Sequence, residues 1–236
     1  MLVQSLGSSS AGNAYRVSDG SGSILLEAGL PIRKIAERTG HQLSALSACL
    51  ITHEHGDHSR AVKDLLHRGV PCYMSAGTMG ALGLAPGYNC NVLEHKTPQR
   101  LPNGWTVLPF LTIHDAAEPL GFMLDTGYEE RLLFLTDTAF SPYRFAGLTH
   151  IMVECNFVDE LLDQAEEEGR THGAMAARVR DSHMSENTVI QLLHANDLSR
   201  LKEVHLMHLS DSHSDAARIK ENIQRVAGCP VYVCDK

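Results

Sequence analysis

The chain has 236 residues, enough for one large domain or two small ones, and a hydrophobic content of 43% excludes a disordered or fibrous chain. A formal net charge of -8 disfavours indiscriminate nucleic-acid binding through a wholly basic surface. It leaves room for a local basic track to a metal site, because divalent ions bring positive charge of their own. The amino terminus has no basic stretch followed by an apolar segment and a cleavage site, and no apolar run is long enough to cross a bilayer. A cytoplasmic protein with no membrane partner is expected. Cys49, Cys72, Cys90, Cys155, Cys229 and Cys234 form no CxxC pair and sit mostly in apolar text, which reads as reduced, buried thiols.

In chain order, a polar loop of Ser8, Ser9, Ser10, Gly12 and Asn13 separates two strands. An apolar strand follows at 23–27, then a helix opened by Pro31 and closed by Gly40. Residues 48–52 read as a strand, and Ala61, Val62, Leu65 and Leu66 as the apolar face of a helix stopped by Gly69. Strands are predicted at 107–112, 120–124, 132–136, 151–154, 204–207 and 231–233. Ser185 is placed to cap a helix carrying Val189, Ile190 and Leu193. Ser214 is placed to cap another with Ala217, Ile219, Ile223 and Val226 inward, ended by Gly228 and Pro230. Hairpin-like strand pairs mixed with helices predict sheets covered by helices rather than a simple βαβ series. No repeat or linker interrupts the text, so a single domain over 1–236 is expected.

The most informative segment is Thr52-His53-Glu54-His55-Gly56-Asp57-His58, where an apolar strand runs directly into crowded histidines and an aspartate. Imidazole with carboxylate suits zinc, manganese or iron, and the missing thiolates disfavour a closed structural zinc site. In a loop, His53 and His55 can turn to one ion while Asp57 and His58 turn to a second, and Gly56 is expected to permit the tight backbone. The alternative is a solvated polar loop between a strand and a helix.

HxHxDH after an apolar strand resembles the hallmark of the metallo-β-lactamase superfamily. SLGSSSAGNAYRV at the start, LLEAGL, HDAAEPLGF, TDT at 136–138, VECN and HLS look like its YycJ/WalJ-like branch, most closely the phage-type relatives. The resemblance implies an α+β fold, the four-layer αβ/βα sandwich of two mixed β-sheets flanked by helices. It also implies two divalent metal ions, zinc or manganese, and a 5′-to-3′ exonuclease acting on DNA in preference to RNA through a water that the ions activate. Carried over position by position, His114 joins His53 and His55 on the first ion, His208 joins Asp57 and His58 on the second, and Asp137 bridges them. Glu27 stands where most of the superfamily has aspartate, and is expected to brace the histidine loop rather than touch metal.

Asp57 and Asp137 are expected to orient the attacking water. In the phosphodiesterases this chain resembles, a histidine before the final motif protonates the leaving alkoxide; His183 matches it, the alternative being a neighbour of a helix cap. Ser9, Ser10 and Asn13 can aim backbone N–H groups at phosphate oxygens or simply form a hairpin turn. Glu154 ends a strand, where it either orients a ligand histidine or faces solvent. Arg170, Arg178 and Arg180 offer contacts to a nucleic-acid backbone, but Glu166, Glu167 and Glu168 beside them favour a solvated helix face. His172 and His213 carry no assignment.

Other members of the superfamily fit less well. Class B1 β-lactamases place cysteine where Asp137 stands, flavodiiron oxidoreductases place an acid at His55 and append a flavin domain, and glyoxalase II-type thioesterases add a helical domain after the last histidine. Roughly seventy residues separate Asp137 from His208, too few for the β-CASP insertion, and no protruding tRNase Z arm is evident. Substrate would then be gripped by loops or across a homodimer. Two alternatives stay open: hydrolysis of a small substrate, either a cyclic nucleotide or a thioester, and a non-catalytic partner of recombination or repair proteins.

Overall fold

Alternation of exposed and half-buried side chains along residues 2–5 gives the first strand one face for solvent and one for the interior. In the computed structural model, which describes residues 1–20 and 22–235, β1 (Leu2–Gly7) pairs antiparallel with β2 (Ala14–Ser18), and β2 with β3 (Ser23–Leu26). The described residues form two compact units, one of Met1–Leu111 and Ala116–Glu130 with Asp235, the other of Thr112–Asp115 and Arg131–Cys234.

In the first unit the chain continues through α1 (Ile32–Arg38), β4 (Leu46–Leu50), α2 (Gly56–Ser59), α3 (Val62–His67), β5 (Cys72–Met74), α4 (Ala76–Ala81) and β6 (Cys90–Val92). The sheet order is β1-β2-β3-β4-β5-β6, parallel from β3 onward. β3, antiparallel to β2 and parallel to β4, is buried along its whole length, as befits a strand covered on both faces. Ile35 of α1 and Val62 and Leu65 of α3 join Leu25, Ile51 and Met74 in one core, each such side chain worth about 1.5–3 kcal/mol on burial. Cys49, Cys72 and Cys90 lie in register on β4, β5 and β6 as buried free thiols. An antiparallel set follows: β7 (Gln99–Arg100), β8 (Thr106–Leu111) and β9 (Leu120–Asp125).

The second unit holds β10 (Arg131–Leu135), β11 (His150–Glu154), α5 (Asp159–Glu167), α6 (Gly173–Ser182), α7 (Glu186–His194), β12 (Glu203–Met207), α8 (Ala216–Ala227) and β13 (Val231–Val233). Its four strands are parallel in sequence order. Ser185 caps α7 as expected, its side chain accepting from the Thr188 N–H. The cap of α8 is Asp215, not Ser214: the Asp215 carboxylate accepts from the Arg218 N–H, while the Ser214 hydroxyl donates back to the Ser210 carbonyl. Ala217 is exposed, Val226 half-buried, and Ile219, Ile223 and Ala227 form the buried line, four residues apart. Gly228 closes α8 at φ 67°, the left-handed conformation that glycine adopts without a steric penalty. Among the described residues no helix is long and apolar enough to cross a membrane.

Candidate metal centre

In the first unit the candidate ligands follow β4. Thr52 begins the turn, its N–H donating to the Glu27 carboxylate at 3.3 Å and its hydroxyl lying 2.9 Å from His53 Nδ1, a contact that fixes the imidazole's rotation. His55 caps α2, so Asp57 and His58 fall in its single turn. The His53 ring centroid lies 4.6 Å from that of His55 and 4.3 Å from that of His58. Asp57 Oδ2 stands 3.3 Å from His58 Nε2, and Glu27 Oε2 stands 3.7 Å from Nδ1 on the other edge of the ring. Burial raises the Glu27 carboxyl above its usual range, against the pull of His58 and the Thr52 N–H.

The loop is held from below by backbone. Ala28 N–H donates to the His58 carbonyl at 2.7 Å, Asn13 N–H to the Asp57 carbonyl at 2.8 Å, and Gly29 N–H to the Asn13 carbonyl at 2.8 Å. The expectation for Gly56 is corrected here. It sits in a helical turn with open space where a Cβ would go, and it needs no special φ. The close approach belongs to Gly29, where a Cβ would lie 1.6 Å from the Asp57 carbonyl oxygen.

Asn13 braces this loop. Tyr15 donates its hydroxyl to Asn13 Oδ1 at 3.2 Å and bonds Ser8 Oγ at 2.7 Å, which aims Asn13 Nδ2 at His58 Nε2, 3.2 Å away. The Ala11 N–H turns to Ser9 Oγ and the Gly12 N–H to the Ser9 carbonyl, while Ser10 is exposed.

In the second unit the candidate residues stand at the carboxyl ends of adjacent parallel strands, the usual place for a site in such a sheet. Asp137 follows β10, Glu154 ends β11 and His208 follows β12. His208 Nδ1 lies 2.9 Å from Asp137 Oδ1 and 3.4 Å from Glu154 Oε2, and His183 Nδ1 lies 3.0 Å from the same Glu154 oxygen. Thr138 and Met184 donate their N–H groups to the other Glu154 oxygen, at 2.8 and 3.2 Å. Glu154 is wholly buried, which removes its solvent-facing reading. Burial alone would raise its pKa, but His183 and His208 bring it below the ordinary carboxylate value.

Burial likewise opposes a charged His208, yet Asp137 and Glu154 push it up to about 10. His183, the residue that ends α6, is also raised: burial lowers it and Glu154 more than offsets that. His114 lies 3.7 Å from Asp137 Oδ2 and 3.3 Å from the Ser182 carbonyl, and burial lowers its pKa.

Three of these positions carry backbone strain. Glu27, Asp137 and His208 have φ of 64°, 46° and 54°, a region that side chains other than glycine seldom occupy. Sequence reasoning missed Gly29 and the threonines that precede ligands, Thr52 and Thr136, the latter donating to Asp137 Oδ1 at 2.9 Å. A hydroxyl residue directly before a candidate ligand was the available signal. The arginines of the α6 region are already paired: Arg170 with Glu168, Arg180 with Asp163 and Glu166, and Arg178 with Asp115. His172 caps α6, and His213 bonds Thr171 Oγ1 at 2.7 Å.

Within the second unit, Asp137, Glu154, His183 and His208 each offer a ligand atom within 4.8 Å of the others. Nitrogen and carboxylate oxygen without thiolate is a donor set for a divalent cation, so the residues fit a metal.

Residues 23–209 match the family model described as the β-lactamase superfamily domain, and the chain belongs to that family. Its fold is the metallo-β-lactamase fold, α+β with two mixed sheets and flanking helices, as the sequence led us to expect, and it is a hydrolase of that fold. The chain is 26% identical over 225 residues to the exodeoxyribonuclease WalJ of Streptococcus pneumoniae serotype 2, covering 89% of this chain and 81% of that protein. Among solved structures it resembles the metallo-β-lactamase fold protein YhfI from Bacillus subtilis, with a TM-score of 0.73, 16% identity and coverage of 99% and 95%. It also resembles Zn(2+)-bound PqqB from Methylobacterium extorquens, with a TM-score of 0.70, 15% identity and coverage of 100% and 98%.

Proposed function

We propose that this hydrolase is a metal-dependent phosphodiesterase, a nuclease that degrades DNA from the 5′ end. The observation that carries the reading is the donor set, nitrogen and oxygen throughout, with aspartate at 137 in a chain 26% identical to an exodeoxyribonuclease. His53, His55 and His114 would hold one cation, Asp57, His58 and His208 a second, and Asp137 both. Zinc or manganese bound there supplies charge neutralisation at a phosphate and acidifies water.

The chain's own residues do the rest. Asp57 and Asp137 accept hydrogen bonds from the attacking water and so orient it. His183, anchored 3.0 Å from Glu154, delivers a proton to the departing alkoxide, and Glu154 sets its orientation. Ser9 and Ser10 lie in the loop offered to a phosphate.

Digestion of end-labelled single-stranded and duplex DNA and RNA, with zinc or manganese added, tests substrate and polarity together. We expect shortening of DNA from the 5′ end. His53→Ala and Asp137→Asn should abolish it and lower metal content measured by plasma mass spectrometry. His183→Ala should lower kcat with metal retained. Full activity in the first two variants overturns the metal assignment. Hydrolysis of a thioester with none of any phosphodiester overturns the nuclease reading.

A further inference from the structure

We infer that Phe140, with Ile113 beside it, is a stacking platform for the nucleobase next to the cleaved phosphate. The inference rests on the phosphodiesterase reading and names the part of the substrate that the metal does not hold. In the second unit the exposed large hydrophobic residues are Ile113, Phe140, Met175 and Tyr232, and two of them flank candidate ligands. Ile113 directly precedes His114, and Phe140 follows Asp137 by three residues. They are 41% and 49% exposed, so both side chains are open to a partner.

Their backbones are fastened together. Ile113 N–H donates to Thr138 Oγ1 at 2.9 Å, that hydroxyl donates to the Phe140 carbonyl at 2.9 Å, and Ala139 N–H donates to the Ile113 carbonyl at 3.2 Å. Thr138 is wholly buried, and its own N–H is held by Glu154. The backbone that carries the ring is therefore held in place.

Charge argues for the same occupant. The formal net charge is -8, and Arg170, Arg178 and Arg180 are already paired to carboxylates, which leaves those three less free to follow a phosphate backbone. Stacking is the grip on nucleic acid that needs no charge, and it serves every base alike.

The test compares two phosphodiesters with the same leaving group, methyl p-nitrophenyl phosphate and thymidine 5′-(p-nitrophenyl phosphate), on the metal-loaded full chain. Phe140→Ala should lower the preference for the nucleotide ester, taken as the ratio of kcat/KM values, by about tenfold, and Phe140→Trp should restore it. A direct measure runs in parallel: the fluorescence of an oligonucleotide ending in 2-aminopurine should be quenched by the wild type and not by Phe140→Ala. Equal loss on both esters, or quenching that Phe140→Ala leaves intact, overturns the platform. So does a dimer in size-exclusion chromatography that Phe140→Ala dissociates, since Phe140 would then be covered by a second copy. If the wild type hydrolyses neither ester, the phosphodiesterase reading fails, and the quenching experiment judges the platform alone.

Discussion

The two units assemble their candidate ligands in opposite ways. The first gathers His53, His55, Asp57 and His58 on one short segment and supports it with main chain, through hydrogen bonds from Ala28 and Asn13 and the close approach of Gly29. The second takes Asp137 and His208 from the ends of separate strands, adds His183 from the end of a helix, and lets one buried carboxylate, Glu154, touch both histidines. A site borne on one loop depends on backbone fit. A site borne on several strands depends on a side chain that ties them together. Strain is common to both, at Glu27 in the first and at Asp137 and His208 in the second.

The sharpest way to break this contrast is a glycine pair in the first unit. Gly29→Ala should cost more than about 4 kcal/mol, because backbone rather than a flexible side chain occupies the space. Gly56→Ala, with open space around it, should stay within about 1 kcal/mol of the wild type. Urea unfolding measures both. Equal stability of the two variants would show that the loop tolerates what the geometry forbids.

A pair of carboxylates then compares the units directly. Glu154→Gln keeps the shape but loses the charge that orients His183 and His208, so zinc affinity by chelator competition should fall about 10- to 100-fold. Glu27→Gln, 3.7 Å from the one histidine it faces, should fall less than about tenfold. A larger loss at Glu27 would reverse the assignment of which unit relies on a side chain.

The smallest expected effect lies away from the ligands, in the frame of the second unit. Asp215→Ala should destabilise by about 1 kcal/mol in thermal unfolding and Ser214→Ala by less, since only Asp215 caps α8. The reverse order would restore the serine as the cap.

What the sequence determined by itself was whatever is encoded locally. Most strands, the caps at Ser185 and Gly228, and the crowding of imidazoles at 53–58 all come from patterns spanning a few residues. The candidate ligands at 114, 137 and 208 came from likeness to a family, because no local rule reveals which residues distant in the chain meet. The tertiary structure decided the supports: that Asn13 serves the histidine loop, that Gly29 and not Gly56 meets backbone, and that Glu154 is buried between two histidines. These depend on contacts between residues 28 to 45 positions apart in the chain: Gly29 with Asp57, Asn13 with His58 and Glu154 with His183. Hydrophobic periodicity specifies which face of a strand is buried, but not which side chain from a distant strand completes a hydrogen bond at its end.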